Sequence, residues 1–325
     1  MTSWVRRVLP AVGLFFLAPL VAEFLLGDFP ITMLGLLVVL APLYGGGALL
    51  IRETARRSGR GWPSILLLAF AYGVLEEAFT TETLFNPNYL GLNLHLLDHA
   101  YLPALGIGVC WTIFVLTLHT VWSVSVPIAL VEALVPDRAS APWLGRVGLG
   151  VVALLFALAA AAMTRYSIKQ DSRHFIASPA QFAVSAAVVV AVAALAFLLP
   201  KPRISRATSG TPRPWAVGAL ALAAGSIFLV IPRAWNWWAV AAYLALDAIV
   251  VGATGFWCSR CGWDGRHRLA LAGGAALAYA WHAFIQMPVA GGAGVGDRVG
   301  NAVLALGTLA LIAVAVRGTE QYGPG

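Results

Sequence analysis

Two adjacent carboxylates lie inside an apolar stretch of the sequence, AYGVLEEAFTTETLFNPNYL, residues 71–90. Neighbouring residues on a helix point ~100° apart, so at least one of Glu76 and Glu77 must face the interior of a helix bundle. A charged side chain inside a bilayer costs a few kcal/mol or more unless it is paired, protonated or hydrated. Glu76 and Glu77 are therefore the first candidates for catalysis.

Other ionisable residues also lie within apolar segments, namely Glu23, His119, Asp247 and His282. Carboxylates and imidazoles in such surroundings are suited to proton transfer. Pooling them around a few waters costs less than burying each one alone. We therefore predict one interior cavity in which His119 and His282 are catalytic with the two glutamates, while Glu23 and Asp247 bind substrate. The alternative is that each group is satisfied separately, by headgroups or by backbone carbonyls.

Several tryptophans lie close to these histidines in the sequence. Trp122 and Trp281 are predicted to line a substrate pocket, and simple packing is the alternative for both. Others, such as Trp62 and Trp215, fall at the ends of apolar stretches, where an interfacial aromatic belt explains them.

The composition indicates a membrane protein. With 60% hydrophobic residues, 11% charged residues and a mean hydropathy of +0.83, the chain has too little polar surface for a soluble protein of 34.3 kDa. A bilayer core requires ~20 apolar residues per helix. Stretches near this length lie at residues 8–27, 30–51, 63–80, 103–131, 147–163, 182–199, 215–232, 237–257, 269–289 and 299–316.

These stretches lack the alternation of barrel strands, so helices are the expected form. The sequence predicts an all-α polytopic membrane protein with about ten transmembrane helices. We expect residues 1–325 to form a single integral membrane domain.

The distribution of basic residues predicts the orientation. Cytoplasmic loops collect Lys and Arg, and an inside N-terminus leaves only five of the 21 basic residues outside: Arg165, Lys169, Arg173, Arg233 and Arg298. Both termini are therefore predicted to be cytoplasmic in a multi-pass protein of the cell membrane. The same rule explains the net charge of +7. The expected partners are the lipid bilayer and a hydrophobic or membrane-associated substrate, with no nucleic acid.

No cofactor or metal is expected from the cysteines. Cys258 and Cys261 form one C-x-x-C pair with His267 nearby, whereas a structural zinc site requires four ligands. The segment 200–214, rich in Pro, Ser, Thr and Arg, is predicted to be a linker between closely flanking spans.

The acids and histidines resemble the CPBP family of CAAX-processing-type glutamic intramembrane proteases. The pattern of that family is E-E-x-x-x-R, then F-x-x-x-H, then H-x-x-x-N/D. Glu76 and Glu77 match the paired acids, and Thr81 stands at the arginine position. In FVLTLH, His119 follows Phe114 by five residues rather than four, and in HAFIQ, Gln286 follows His282 by four.

The resemblance implies a peptidase that works without a bound metal. In that mechanism Glu76 activates a water, Glu77 helps to hold the site, and His119 and His282 steady the water or the developing oxyanion. The implied substrate is a membrane-associated peptide or a prenylated protein.

Two other functional classes are consistent with the sequence. A proton-coupled transporter is one, because ten spans divide into two inverted sets of five, with buried acid in the third span of each set. A membrane-embedded lipid or isoprenoid enzyme with aromatic walls is the other. The predicted outer loop 81–102 is either a lid over the bundle or a solvated surface loop.

Overall fold

The computed structural model describes residues 3–170, 174–199, 210–260, 262–292 and 294–321. The helices are α1 (Ser3–Pro19), α2 (Leu36–Arg57), α3 (Trp62–Leu75), α4 (Val109–Leu118), α5 (Val126–Leu134), α6 (Arg146–Gln170), α7 (Pro179–Leu198), α8 (Pro214–Val230), α9 (Trp237–Cys258), α10 (Gly265–His282) and α11 (Val295–Gln321). Two strands, β1 (Tyr101–Leu102) and β2 (Ile107–Gly108), pair as an antiparallel hairpin.

Three helices continue through a turn of π-helix. The π-helical segments are Leu20–Leu25 after α1, Glu76–Thr80 after α3, and His119–Ser125, which joins α4 to α5 in one continuous rod. With these continuations, each predicted span falls on one helical rod. The all-α polytopic fold predicted from the sequence is confirmed.

Eight of these rods are long and apolar enough to cross a membrane. Of the other two, α8 is apolar but has only 17 residues, and α10 begins with Arg266 and Arg268 in its first turn. These two helices pack closely against each other. A Cβ added at Gly274 of α10 would lie 2.2 Å from the carbonyl oxygen of Gly218 on α8, so this contact requires glycine.

Several predicted boundaries were wrong, and in three spans the reason is clear. The span predicted at 103–131 begins as a helix only at Val109, because the β1–β2 hairpin precedes it. The span predicted at 269–289 ends as α10 at His282, before Pro288. The span predicted at 30–51 is α2, Leu36–Arg57, which continues through charged residues because their charges are paired inside the protein.

The pairing in α2 centres on Arg52, which is 0% exposed. Its guanidinium donates to Glu53 Oε1 at 2.8 Å and to Glu132 Oε1 at 3.0 Å, and it also binds the backbone carbonyls of residues 138, 139 and 141. Arg56 binds both oxygens of Glu132, at 2.9 and 2.7 Å. The Arg52 guanidinium also lies 3.2 Å from the centre of the Trp143 ring. We call Arg52, Glu53, Arg56 and Glu132 the basic-end network.

Contacts between helix ends agree with the prediction that successive helices run in alternate directions across the bundle. At the basic end, Ser64 donates to the carbonyl of Ala196 at 2.6 Å. At the opposite end, which we call the acidic end, Gln286 donates to Asp28 at 2.7 Å and the Ala177 amide donates to Glu82 at 2.6 Å. Most of the predicted linker 200–214 and Cys261 lie outside the described residues.

Candidate active site

The three π-helical segments bring together three of the four acids and one of the two histidines that the sequence analysis singled out. Glu23 lies in the first segment, Glu76 and Glu77 begin the second, and His119 begins the third. A π-helical turn within an α-helix is rare and often occurs at functional sites. All three π-helical turns occur where these residues meet. The turns therefore belong to one candidate site.

His119 lies between the two adjacent carboxylates. Its Nε2 is 2.7 Å from Glu77 Oε1, and its Nδ1 is 3.4 Å from Glu76 Oε2. An ionised carboxylate only accepts hydrogen bonds, so the Nε2 proton points to Glu77. In the neutral imidazole, Nδ1 is then an acceptor that faces Glu76.

Glu77 has its hydrogen-bonding capacity filled by neighbours. Its Oε2 accepts from the hydroxyl of Thr81 at 3.2 Å and from that of Thr83. Trp111 in turn donates its indole N–H to Thr83 at 3.0 Å. Glu77 is thus held in place and, through its other oxygen, fixes the orientation of the His119 ring.

Glu76 has an oxygen without a partner. Among the described residues, Glu76 Oε2, His119 Nδ1 and the Tyr72 hydroxyl are buried and form no hydrogen bond of normal geometry, although the Tyr72 hydroxyl and the His119 imidazole both lie beside the Glu76 carboxylate. Leaving a buried polar atom unsatisfied costs about 1–3 kcal/mol. Three such atoms on neighbouring side chains, with the Tyr72 and His119 rings 5.9 Å apart, indicate a place for a water or a substrate group.

Glu23 extends the cluster across α1 and α2. The Tyr44 hydroxyl donates to Glu23 Oε1, and the Tyr44 ring stacks on His119 with a centroid separation of 6.1 Å. Gly47, one turn along α2, makes room for Tyr72, because a Cβ there would lie 2.5 Å from the Tyr72 ring. We call Glu23, Tyr44, Tyr72, Glu76, Glu77 and His119 the acidic cluster.

Among the described residues, no hydrogen bond, ion pair or ring contact joins the second predicted catalytic histidine to this cluster. His282 is the last residue of α10, and among the described residues its Nδ1 has no hydrogen-bond partner. Nearby in sequence, Gln286 binds Asp28 in the loop after α1. Burial raises the pKa of Asp28 to about 6, and the Gln286 bond and the positive charge of Arg233 oppose that rise.

The remaining predicted substrate-binding residues also have partners elsewhere. Asp247 accepts from the hydroxyl of Thr117 at 3.1 Å. Trp122 donates to the carbonyl of Ala275 at 2.8 Å and stacks on Tyr279, and Trp281 donates to Ser226 at 2.7 Å. The structure therefore joins Glu23 to the glutamate pair and leaves Asp247, Trp122 and Trp281 outside it.

The cluster also has the donor set of a cation site. Glu76, Glu77 and His119 each offer one ligand atom, and these atoms lie within 4.8 Å of one another. Carboxylate and imidazole donors suit several divalent metals. The C-x-x-C pair gives no comparable grouping among the described residues. Cys258 is exposed, and His267 is held by Asp264 and the carbonyl of Pro212.

The sequence analysis missed four residues of the site: Tyr44, Tyr72, Thr81 and Thr83, of which Thr81 was noted only as a departure from the protease pattern. The sequence could have indicated Tyr72, because it precedes Glu76 by one helical turn and so lies on the same face of the helix. Tyr44 gave no such signal, because it meets Glu23 only through the packing of α1 on α2.

These features define a polytopic α-helical membrane protein with a buried carboxylate–histidine site. The model of a family described as an uncharacterized membrane protein family matches residues 13–317, so the chain belongs to that family. No curated protein and no solved structure matches the chain. The family match supports a membrane protein with several membrane helices and names no reaction.

Proposed function

We propose that this protein is an intramembrane hydrolase in which Glu76 activates a water for attack on a peptide carbonyl. The observation that carries the proposal is the pair of buried atoms Glu76 Oε2 and His119 Nδ1, which lie 3.4 Å apart and form no hydrogen bond with the described residues. The proposal requires a neutral His119 ring, in which Nδ1 accepts a hydrogen bond. A water lying against both atoms would donate one hydrogen to each. Its oxygen would then be free to act as the nucleophile.

Side chains of the acidic cluster carry out the proposed reaction. Glu76 accepts a proton as the water oxygen bonds to the carbonyl carbon. The unpartnered Tyr72 hydroxyl donates to the resulting oxyanion. When the C–N bond breaks, Glu76 returns the proton to the leaving nitrogen. Glu77, already hydrogen-bonded to His119, holds the imidazole in the tautomer that this step requires. His282, which forms no hydrogen bond with the described residues of the cluster, has no role in this scheme.

Access to Glu76 in this scheme requires movement of the chain that follows α3. Residues 81–86 are all buried and lie directly after the acids, where Thr81 and Thr83 bind Glu77. Glu82 secures this segment by accepting from the Ala177 amide, and burial raises the pKa of Glu82. We propose that residues 81–86 open to admit a membrane-associated peptide or protein. With the basic end placed in the cytoplasm of the cell, the cluster lies nearer the outer leaflet of the cell membrane.

The test is cleavage of membrane-anchored peptides by the full-length protein in lipid nanodiscs. Glu76→Gln keeps the shape of the side chain and removes its basicity, so turnover should fall about 10²-fold or more while peptide binding persists. Asp247→Asn is the matched control, since Asp247 is an acid in a membrane helix outside the cluster, and its turnover should equal that of the wild type. Full turnover in Glu76→Gln would exclude Glu76 as the base.

Proton-coupled transport is a second candidate, favoured by the continuity of the cluster. Glu23 and Tyr44 connect through the Tyr44–His119 stack to Glu76 and Glu77, so protonatable groups extend across four helices. In a transporter, Glu76→Gln should abolish pH-driven uptake into vesicles while counterflow exchange survives. That result, with no peptide cleaved by the wild type, would replace the hydrolase proposal. A lipid or isoprenoid enzyme remains the third class, and lipid substrates belong in the same cleavage assay.

A further inference from the structure

A cavity of about 190 Å³ lies at the basic end of the bundle, on the opposite side from the acidic cluster. It is bounded by Trp62 at the start of α3, by Glu132 of α5, by Asp264, Arg266 and Arg268 at the start of α10, and by Thr319 of α11. We propose that this cavity binds a phosphate group, carried either by an anionic lipid or by a small soluble anion.

The two acids that line the cavity already accept hydrogen bonds from other groups. Glu132 accepts from both Arg52 and Arg56, so its charge is neutralised within the basic-end network. Asp264 caps α10 by accepting from the backbone amides of Arg266 and His267. The charge of Glu132 is thus balanced by two arginines, whereas Asp264 stays negatively charged at the start of α10, beside Arg266 and Arg268.

Two donors that line the cavity lack a close hydrogen-bond partner among the described residues. Trp62 Nε1 is one of them, and it is buried. The other is the partly buried Arg268 guanidinium, which interacts with the charges of Glu132 and Asp264 without a close ion pair to either. Indole and guanidinium groups only donate hydrogen bonds. A ligand that satisfies both must bring acceptor oxygens and negative charge.

The size and position of the cavity favour phosphate. At ~30 Å³ per water, its volume corresponds to roughly six waters, which leaves room for a phosphate and its hydration. Ala129, Ala133 and Pro136 form an apolar wall beside the donors. Basic pockets between membrane helices at the cytoplasmic side are typical sites for phosphate headgroups. The site does not depend on the function proposed for Glu76.

The experiment measures ligand binding to the purified full-length protein in neutral detergent through the shift in Tm. The probes are phosphatidylglycerol, phosphatidylcholine and inorganic phosphate. We expect phosphatidylglycerol to raise Tm and phosphatidylcholine to leave it unchanged. Arg268→Gln should weaken binding about tenfold or more, as expected for loss of a charge-assisted bond, and Trp62→Phe about fivefold, as for a neutral bond.

The matched control is Arg146→Gln, which removes an exposed charge at the same end of the bundle but outside the cavity. It should bind phosphatidylglycerol as the wild type does. Stabilisation by inorganic phosphate alone, with the same dependence on Arg268 and Trp62, would identify a soluble anion as the source. The proposal fails if no anionic probe shifts Tm, or if the three variants respond alike. Because Trp62→Phe keeps the ring, its result stands even if Arg268→Gln does not fold.

Discussion

The acidic cluster and the basic-end network both bury several charges, and they differ in how completely those charges are satisfied. Arg52 and Glu53 are 0% exposed, yet their ionic groups are matched by opposite charges or by backbone groups. Glu76 is 2% exposed, yet one of its oxygens and a nitrogen of its neighbour His119 have no partner. Completeness of pairing is therefore the difference between the two regions, and the unsatisfied atoms are the reason for proposing a ligand at the acidic cluster.

The helix geometry differs in the same way. The basic-end network lies on regular α-helix in α2 and α5. The acids and the histidine of the acidic cluster all lie on π-helical turns, which forgo regular hydrogen bonding to place side chains. The basic-end network contributes to the stability of the fold. In the acidic cluster, the helices are locally irregular at the residues whose side chains form the cluster.

The largest effect is expected from Arg52→Ala in the basic-end network. Removing one partner of a buried charge pair costs about 3–5 kcal/mol, because the other charges stay buried without compensation. We expect a large fall in Tm and in the yield of folded protein. Arg57→Ala is the control. Its side chain is 30% exposed and lies 3.4 Å from Glu53, so its loss should cost about 1 kcal/mol or less. Equal effects would mean that burial does not govern the network.

A smaller effect is expected from Gly47→Ala at the acidic cluster. The new methyl group would lie 2.5 Å from the Tyr72 ring, and overpacking of this kind costs about 1–3 kcal/mol. Displacing Tyr72 should also reduce the proposed turnover. Gly13→Ala in α1 is the control, because its Cβ meets nothing within 4 Å and should be neutral or slightly stabilising. Thermal unfolding of both variants in one detergent tests the difference.

The two glutamates provide a finer test. Glu76→Gln should change the free energy of unfolding by no more than about 1 kcal/mol. One oxygen of the Glu76 carboxylate forms no hydrogen bond that the substitution could remove. Glu77→Gln should be the more destabilising variant, since Glu77 binds His119, Thr81 and Thr83. The order of their Tm values is the measurement. The reverse order would contradict the assignment of Glu77 as the positioning residue.

Asp28, outside the spans, provides a test that depends on pH. Its pKa in the folded protein is about 6, above the ordinary value of 3.8, so the folded state binds this proton more tightly than the unfolded state. The free energy of unfolding should therefore decrease as pH rises from about 4 to about 6. Asp28→Asn should remove this part of the pH dependence, as measured by the difference in Tm from wild type across that range. If the difference in Tm between Asp28→Asn and wild type did not change with pH, the pKa of Asp28 in the folded protein would have its ordinary value.

Membrane class, helix positions and the location of the glutamate pair within a span followed from the sequence alone. Apolar length decides which segments can cross a bilayer, and that property is local, so most of the predicted spans coincide with helices. The buried acids were visible for the same reason, since Glu76 and Glu77 interrupt an apolar run. The end of α2 was predicted too early, because local hydropathy cannot show that Arg52 has its partners on α5.

Which buried groups meet was decided by the tertiary structure. His119 and His282 look equivalent in the sequence, each within an apolar segment, but only His119 lies on a helix that packs against α3 at the level of the acids. Glu23 reaches the same site through Tyr44, a contact made by packing α1 on α2. Hydropathy is a property of each segment, whereas a shared site depends on the rotation and depth of several helices, which only their packing determines.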